Sequence, residues 1–161
     1  FKKMKKLIYL LMAVSLVFSA CEKSKTGGCI DLVAINYEKW ADYDDGSCLY
    51  QSDVVFYEDV AAAVYFANEG VNWLDINING DYTGTLQANL GFEFIPDCYP
   101  LDPDAVHFTI EWEDAPATSF TWTVRDETGY KWYEGTEAVV PNDCTTMGLT
   151  WEMIKEYQDS H

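Results

Sequence analysis

Oxygen donors dominate the chemistry open to this chain, which carries 27 acidic residues and only two histidines. Asp31, Asn36, Asp44 and Asp45 are hard donors of the kind Ca²⁺ takes. Asp44-Asp45-Gly46 also suits a tight turn, because Asp side chains accept from nearby amides and Gly tolerates positive φ. Their spacing is not that of an EF-hand loop, so turn chemistry is the first reading and calcium the alternative. The stretch from Asp75 to Asp81 begins like an EF-hand loop, but its twelfth position is Leu86 rather than Glu, and its flanks are not helical. Glu111 and Glu113 lie two apart on one strand face and could mimic a glycosidase pair. In so acidic a chain such pairs arise by chance. His107 would have to serve a zinc site or a Ser–His–Asp triad almost alone, since the other histidine is His161; it reads as a plain surface residue. No GxSxG, HExxH, GxxxxGK[ST] or GxGxxG motif occurs. The expectation is a protein that is not an enzyme and needs no cofactor.

The aromatic residues suggest recognition instead. Six Trp, 11 Tyr and 8 Phe exceed what one core of this size needs. Trp112, Trp122 and Trp151 fall on apolar strand faces and read as core. Trp73 falls on the face opposite Leu74, Ile76 and Ile78, beside Asp75 and Asn77. Thr83 and Thr85 are expected across from it on the paired strand. A ring flanked by amide and carboxylate groups can stack on and hydrogen-bond a sugar. Trp73, Asp75 and Asn77 are therefore the candidate ligand-binding residues, with Tyr57 and Tyr133 as additions to the same surface. The competing expectation is that Trp73 is covered by the run Val60–Ala67 or by the module of residues 28–50.

Those residues need a scaffold, and period-two alternation supplies one. Leu74, Ile76 and Ile78 alternate with Trp73, Asp75 and Asn77. Asn79-Gly80 follows, and then Tyr82, Gly84 and Leu86 alternate with Thr83 and Thr85. Asn-Gly between two such runs predicts a hairpin, because a type I′ turn needs positive φ at both positions. Phe108, Ile110 and Trp112 alternate with His107, Thr109 and Glu111. Phe120, Trp122 and Val124 alternate with Ser119, Thr121 and Thr123. Tyr130 to Val140 is β-rich, with a bulge expected at Gly135. Val54 to Tyr57 starts the sheet, and Met147, Leu149 and Trp151 form a last apolar face. Alanine favours a short helix or an irregular crossover over Val60–Ala67. About seven short strands without regular helices between them predict a mainly β fold, an antiparallel, Ig-like β-sandwich over residues 52–161.

The net charge is −17. Such a surface repels nucleic acid phosphates and anionic headgroups, so no nucleic acid partner is expected. Disorder is disfavoured, because 48% of the residues are apolar and 16% aromatic.

Residues 1–20 read as a leader. Met4 is the expected start, Lys5-Lys6 form a positive segment, and Leu7–Phe18 is an apolar stretch broken only by Ser15. That is too short for a span of about 20 residues but right for a signal sequence. Phe18-Ser19-Ala20-Cys21 resembles the lipobox of bacterial lipoproteins, and Phe18 in it resembles the Bacteroidota variety. The resemblance implies cleavage before Cys21 and a diacylated Cys21 thiol. Parity agrees, since five cysteines leave an odd one that acylation removes. Loss of the four leader lysines would take the net charge from −17 to −21. Two acyl chains anchor stably. A membrane contact through palmitate-type lipid, in the cell envelope at the outer membrane, is therefore expected, with residues 21–27 as a tether.

An exported chain meets an oxidising compartment, where Cys29, Cys48, Cys98 and Cys144 can pair in three ways. The segment from Gly28 to Tyr50 resembles a cysteine-bounded repeat of secreted Bacteroidota proteins, GCxDxxAxNYxxxAxxDDGSCxY, without a gap. That resemblance implies a Cys29–Cys48 bridge closing a small module over residues 28–50. The order of hairpin, Pro96-Asp97-Cys98 loop, aromatic strands, late cysteine and final strand resembles uncharacterised β-sandwich domains of the same bacteria. It implies pairing of Cys98 with Cys144. The expected function is that of a non-enzymatic envelope lipoprotein whose sandwich binds an envelope protein or has a structural role. The alternatives are a glycan-binding accessory lipoprotein and a small hydrolase built on Glu111 and Glu113.

Overall fold

A computed structural model describes residues 24–113 and 115–160. Cys21, the leader and His161 lie outside the described residues. The chain opens with two short strands, β1 (Gly27–Gly28) and β2 (Tyr43–Asp44), paired in parallel. Around them the module folds on a Cys29–Cys48 disulfide. Its own core is Cys29, Ala34, Cys48 and Tyr50. So few buried groups cannot offset the entropy of ordering about twenty residues, and the bridge supplies the difference by constraining the unfolded chain.

No linker follows. β3 (Leu49–Glu58) leaves directly from Cys48 and enters the sandwich. Asp59 caps α1 (Val60–Glu69) by accepting from the Ala62 amide at 2.6 Å, and Gly70 ends the helix at φ 77°. β4 (Trp73–Ile78) and β5 (Asp81–Gln87) form the expected hairpin, with Asn79 and Gly80 both at positive φ. A long strap, residues 88–105, leads to β6 (Val106–Glu113); β7 (Thr118–Asp126), β8 (Lys131–Val139) and β9 (Cys144–Leu149) follow. The chain continues into α2 (Trp151–Ser160).

The seven strands from β3 onward make two sheets, ordered β6-β3-β9 and β5-β4-β7-β8. The fold is the mainly β sandwich that the alternation predicts. Inward residues of both sheets meet in one core: Val54, Phe56 and Leu149 from one side, Leu74, Ile76 and Trp122 from the other. α1 carries the chain from the three-stranded to the four-stranded sheet and buries Ala62 and Phe66.

Three expectations are corrected. The sheets are antiparallel except that β9 runs parallel to β3, because the β8–β9 connection changes sheets. Trp151 does not extend the last strand; it begins α2. Thr150 terminates the strand and turns the chain, its carbonyl accepting from the Ile154 amide and its hydroxyl from the Met153 amide. Gly135 is not bulged. It pairs with Trp122, and a Cβ there would lie 2.9 Å from the indole, so glycine makes room for the ring. The register shift of that pair falls instead at Val124/Arg125.

Cys98–Cys144 pins the strap to the start of β9. The Phe92 amide adds a hydrogen bond to the Glu58 carbonyl. The strap thereby covers part of the outer face of the three-stranded sheet, over Val55, Tyr57 and His107. Among the described residues no such strap crosses the outer face of the four-stranded sheet.

Candidate functional site

On that open face the side chains of β4 alternate as the sequence predicts. Leu74, Ile76 and Ile78 are buried, while Trp73 is 50% exposed. Neither α1 nor the module covers the ring. Asp75 and Asn77 are half-buried beside it on the same face.

The partner strand departs from strict alternation. Ile76 pairs with Gly84 but Asn77 pairs with Tyr82, so Thr83 is the extra residue of a bulge. Past the bulge, Tyr82 swings to the outer face, 65% exposed. Across from Trp73 stands Gln87 rather than a threonine; Thr85 stands opposite Asp75, and Thr83 is displaced into the bulge. The Thr85 hydroxyl donates to Asp75 Oδ1 at 2.6 Å, and the Tyr82 hydroxyl donates in turn to Thr85 Oγ1 at 2.8 Å. Two exposed rings therefore flank a carboxylate that is oriented by a hydroxyl relay. Thr123 and Arg125 of β7 extend the face beside Asn77 and Asp75. Tyr82 is the member that sequence reasoning missed; the alternation assigned it to the core face.

Tyr133 and Tyr57 do not belong to this surface. Tyr133 pairs with Val124, faces inward and is buried against Phe66. Burial, and after it the carboxyls of Glu58 and Asp59, push its hydroxyl pKa upward. Tyr57 is buried under the strap, its ring edge against Phe92.

In the module, the four oxygen donors hold loop backbone. Asp31 accepts from the Val33 amide at 3.1 Å and from the Tyr50 hydroxyl at 2.9 Å. Asn36 Oδ1 accepts from the Leu49 amide, and its Nδ2 donates to the Ser47 carbonyl. Asp44 and Asp45 accept from the Gly46 and Ser47 amides, the Asx turns the sequence suggests. Among the described residues no three His, Cys, Asp or Glu side chains converge as a metal site would require.

Glu111 and Glu113 stand exposed on β6, an edge strand, with Trp112 turned the other way onto Tyr50. His107 is less free than a surface residue. The strap folds over it, and its Nε2 lies 3.1 Å from the Asp102 carbonyl oxygen. It lines a cleft of about 230 Å³ with Asp53, Tyr99, Leu101 and Thr109.

Among the described residues two carboxyls are buried, and neither was singled out from the sequence. Asp126, at the β7–β8 turn, accepts from the Thr128 amide and hydroxyl, the Tyr130 amide and Trp132 Nε1. Burial alone would raise its pKa, but these hydrogen bonds, those of Thr128 first, hold it below the usual carboxylate range. Glu58 is 1% exposed, and neither carboxyl oxygen has a hydrogen-bond partner among the described residues. Burial, with the neighbouring Asp59 charge second, pushes its pKa up to about 9.

Compared with protein-family models, with curated proteins and with solved structures, the chain shows no match. The functional reading therefore rests on the residues themselves.

Proposed function

We propose that the protein is a non-enzymatic lipoprotein of the cell envelope, anchored to the outer membrane through Cys21, whose sandwich serves as a binding or structural module. The observation that carries this reading is the pairing of sulfurs. Cys29, Cys48, Cys98 and Cys144 are joined two by two, which leaves Cys21, directly after an apolar leader, as the odd one of five. Labelling cells with a fatty-acid analogue tests it. The label is expected on the wild-type chain and absent from Cys21→Ala, with that variant released to the soluble fraction. An unmodified Cys21 in protein taken from its native membrane would sink the proposal.

The open sheet face favours a second, narrower reading, a glycan-binding accessory lipoprotein. Trp73 and Tyr82 offer rings for stacking, and Asp75 and Asn77 offer acceptors and donors for sugar hydroxyls. A neutral saccharide fits best, because the charge of −21 left after loss of the leader opposes an acidic one. Titration with neutral oligosaccharides, read by tryptophan fluorescence, is expected to give a response that Trp73→Ala removes. A response that survives in Trp73→Ala would place the sugar elsewhere.

A further inference from the structure

We propose that the disulfide-closed module lies on the bilayer surface, with Trp40 and Leu32 inserted at the boundary between headgroups and acyl chains. The proposal rests on the anchored reading above. It starts from an inversion of ordinary burial. Ile30, Leu32, Val33, Ile35, Tyr37 and Trp40 are six of the eleven residues from Ile30 to Trp40, and all six are exposed. Leu32 is 78% and Trp40 83% exposed. Scattered single apolar residues on a surface need no explanation, but this density on so small a unit does. None of the six belongs to the module's own buried cluster, which is Cys29, Ala34, Cys48 and Tyr50.

The position in the chain says what covers them. Eight residues lie between Cys21 and Ile30. Fully extended they span about 30 Å, so an anchored Cys21 keeps the module within about one bilayer thickness of the membrane. Tethering at that distance makes the surface a partner at high effective concentration. The residue types agree, since Trp and Tyr rings settle at the headgroup level with their polar edges in water. Lys39 Nζ sits 5.5 Å from the Trp40 ring centroid and can reach the headgroups while its stem stays with the ring.

Charge selects between occupants. A second copy of the anchored chain, without its four leader lysines, would bring another −21 against the first. A zwitterionic lipid surface carries no such repulsion. Asp42, Asp44 and Asp45 of the module are exposed and confine insertion to the interface. The contact would also orient the sandwich. The module is continuous with β3, and Asn142 Nδ2 donates to the Val33 carbonyl at 2.8 Å.

The anchored protein is reconstituted into phosphatidylcholine–phosphatidylethanolamine vesicles whose acyl chains are brominated near the headgroup. Flotation reads the anchor, and bromine quenching of tryptophan emission reads the contact. Wild type is expected to float and to be quenched. Trp40→Ala is expected to float equally and lose most of the quenching. Leu32→Ser, which keeps Trp40 as reporter, is expected to reduce it severalfold. Flotation without quenching, or quenching unchanged in Trp40→Ala, overturns the docking and leaves the anchor standing. Failure to float overturns both. Quenching absent together with a Trp40-dependent dimer by sedimentation assigns the face to a second copy and overturns the proposal.

Discussion

The module and the sandwich solve the same problem in opposite ways. The sandwich turns its large apolar residues inward and covers them with two sheets and two helices; Phe56, Phe66, Leu74 and Ile76 are each fully buried. The module has too few residues to do this. It holds a four-residue core shut with a covalent bond and leaves its larger side chains outside. Tyr50 and Trp112 join the two, stacked with ring centroids 5.9 Å apart. Folding by burial is cooperative, whereas folding by a cross-link is local, and the two disulfides put that difference to the test.

The largest effect is expected from Cys98. Its partner Cys144 lies 46 residues away, at the start of β9 in the three-stranded sheet. A loop of that length stabilises the folded state by about 4 kcal/mol in the chain-entropy model. Replacing both cysteines with Ser is expected to lower the denaturation midpoint of the whole sandwich, read by near-ultraviolet circular dichroism, without changing the signal of the folded state. The same exchange at Cys29 and Cys48, 19 residues apart, is expected to cost about 3 kcal/mol and to cost it locally. Proteolysis after Lys39 is expected to accelerate about a hundredfold while the sandwich midpoint stays put. If both exchanges lower the same midpoint equally, the module and sandwich are one cooperative unit and the contrast fails.

Within the sandwich, the two buried carboxyls sharpen the comparison further. Asp126 is held by four donors, Glu58 by none. Glu58 is held protonated, with its pKa raised from 4.5 to about 9. Between those values the unfolded chain releases this proton and the folded one keeps it. Its contribution is therefore fully present below pH 4.5 and is lost as pH rises through about 9. Glu58→Leu removes an unpartnered polar group from the core and is expected to add about 1–3 kcal/mol at neutral pH. The alkaline fall in stability, followed by urea denaturation at several pH values, is expected to flatten in the variant. An unchanged slope would assign the fall to other groups.

How much of this was legible follows from the physics of each signal. Alternation exposes a strand whenever one face is dry, which made β4, β5, β6 and β7 readable; β3, buried on both faces along Val54–Glu58, and β8 were legible only as apolar or β-rich runs, and Asn79-Gly80 placed the hairpin. The bulge at Thr83 was hidden, because alternation carries no mark of a single extra residue, and with it Tyr82 was assigned to the wrong face. α2 was hidden for the opposite reason. Met147, Leu149 and Trp151 satisfy a strand period across the point where Thr150 ends the strand. Glu58 was within reach: Val54 and Phe56 face inward on β3, and the next position in that period is Glu58. The period that turns Val54 and Phe56 inward turns Glu58 inward too, a carboxyl where an apolar side chain would continue the run.

The smallest expected effect concerns calcium in the module. Ca²⁺ takes 6–8 oxygen ligands from groups that can converge on it. Asp31 already holds the Val33 amide and the Tyr50 hydroxyl, Asp44 and Asp45 hold the two amides of the next turn, and Asn36 ties residues 47 and 49 together. Recruiting them to one ion would release the backbone groups that shape the loop. Stabilisation by a ligand grows only with the ratio of its concentration to its dissociation constant. Millimolar Ca²⁺ is therefore expected to leave the proteolysis rate after Lys39 unchanged, with and without chelator. A tenfold protection would correspond to about 1.4 kcal/mol of binding to the closed module. It would show that these turns can rearrange around a cation, and that the disulfide is not the module's only clasp.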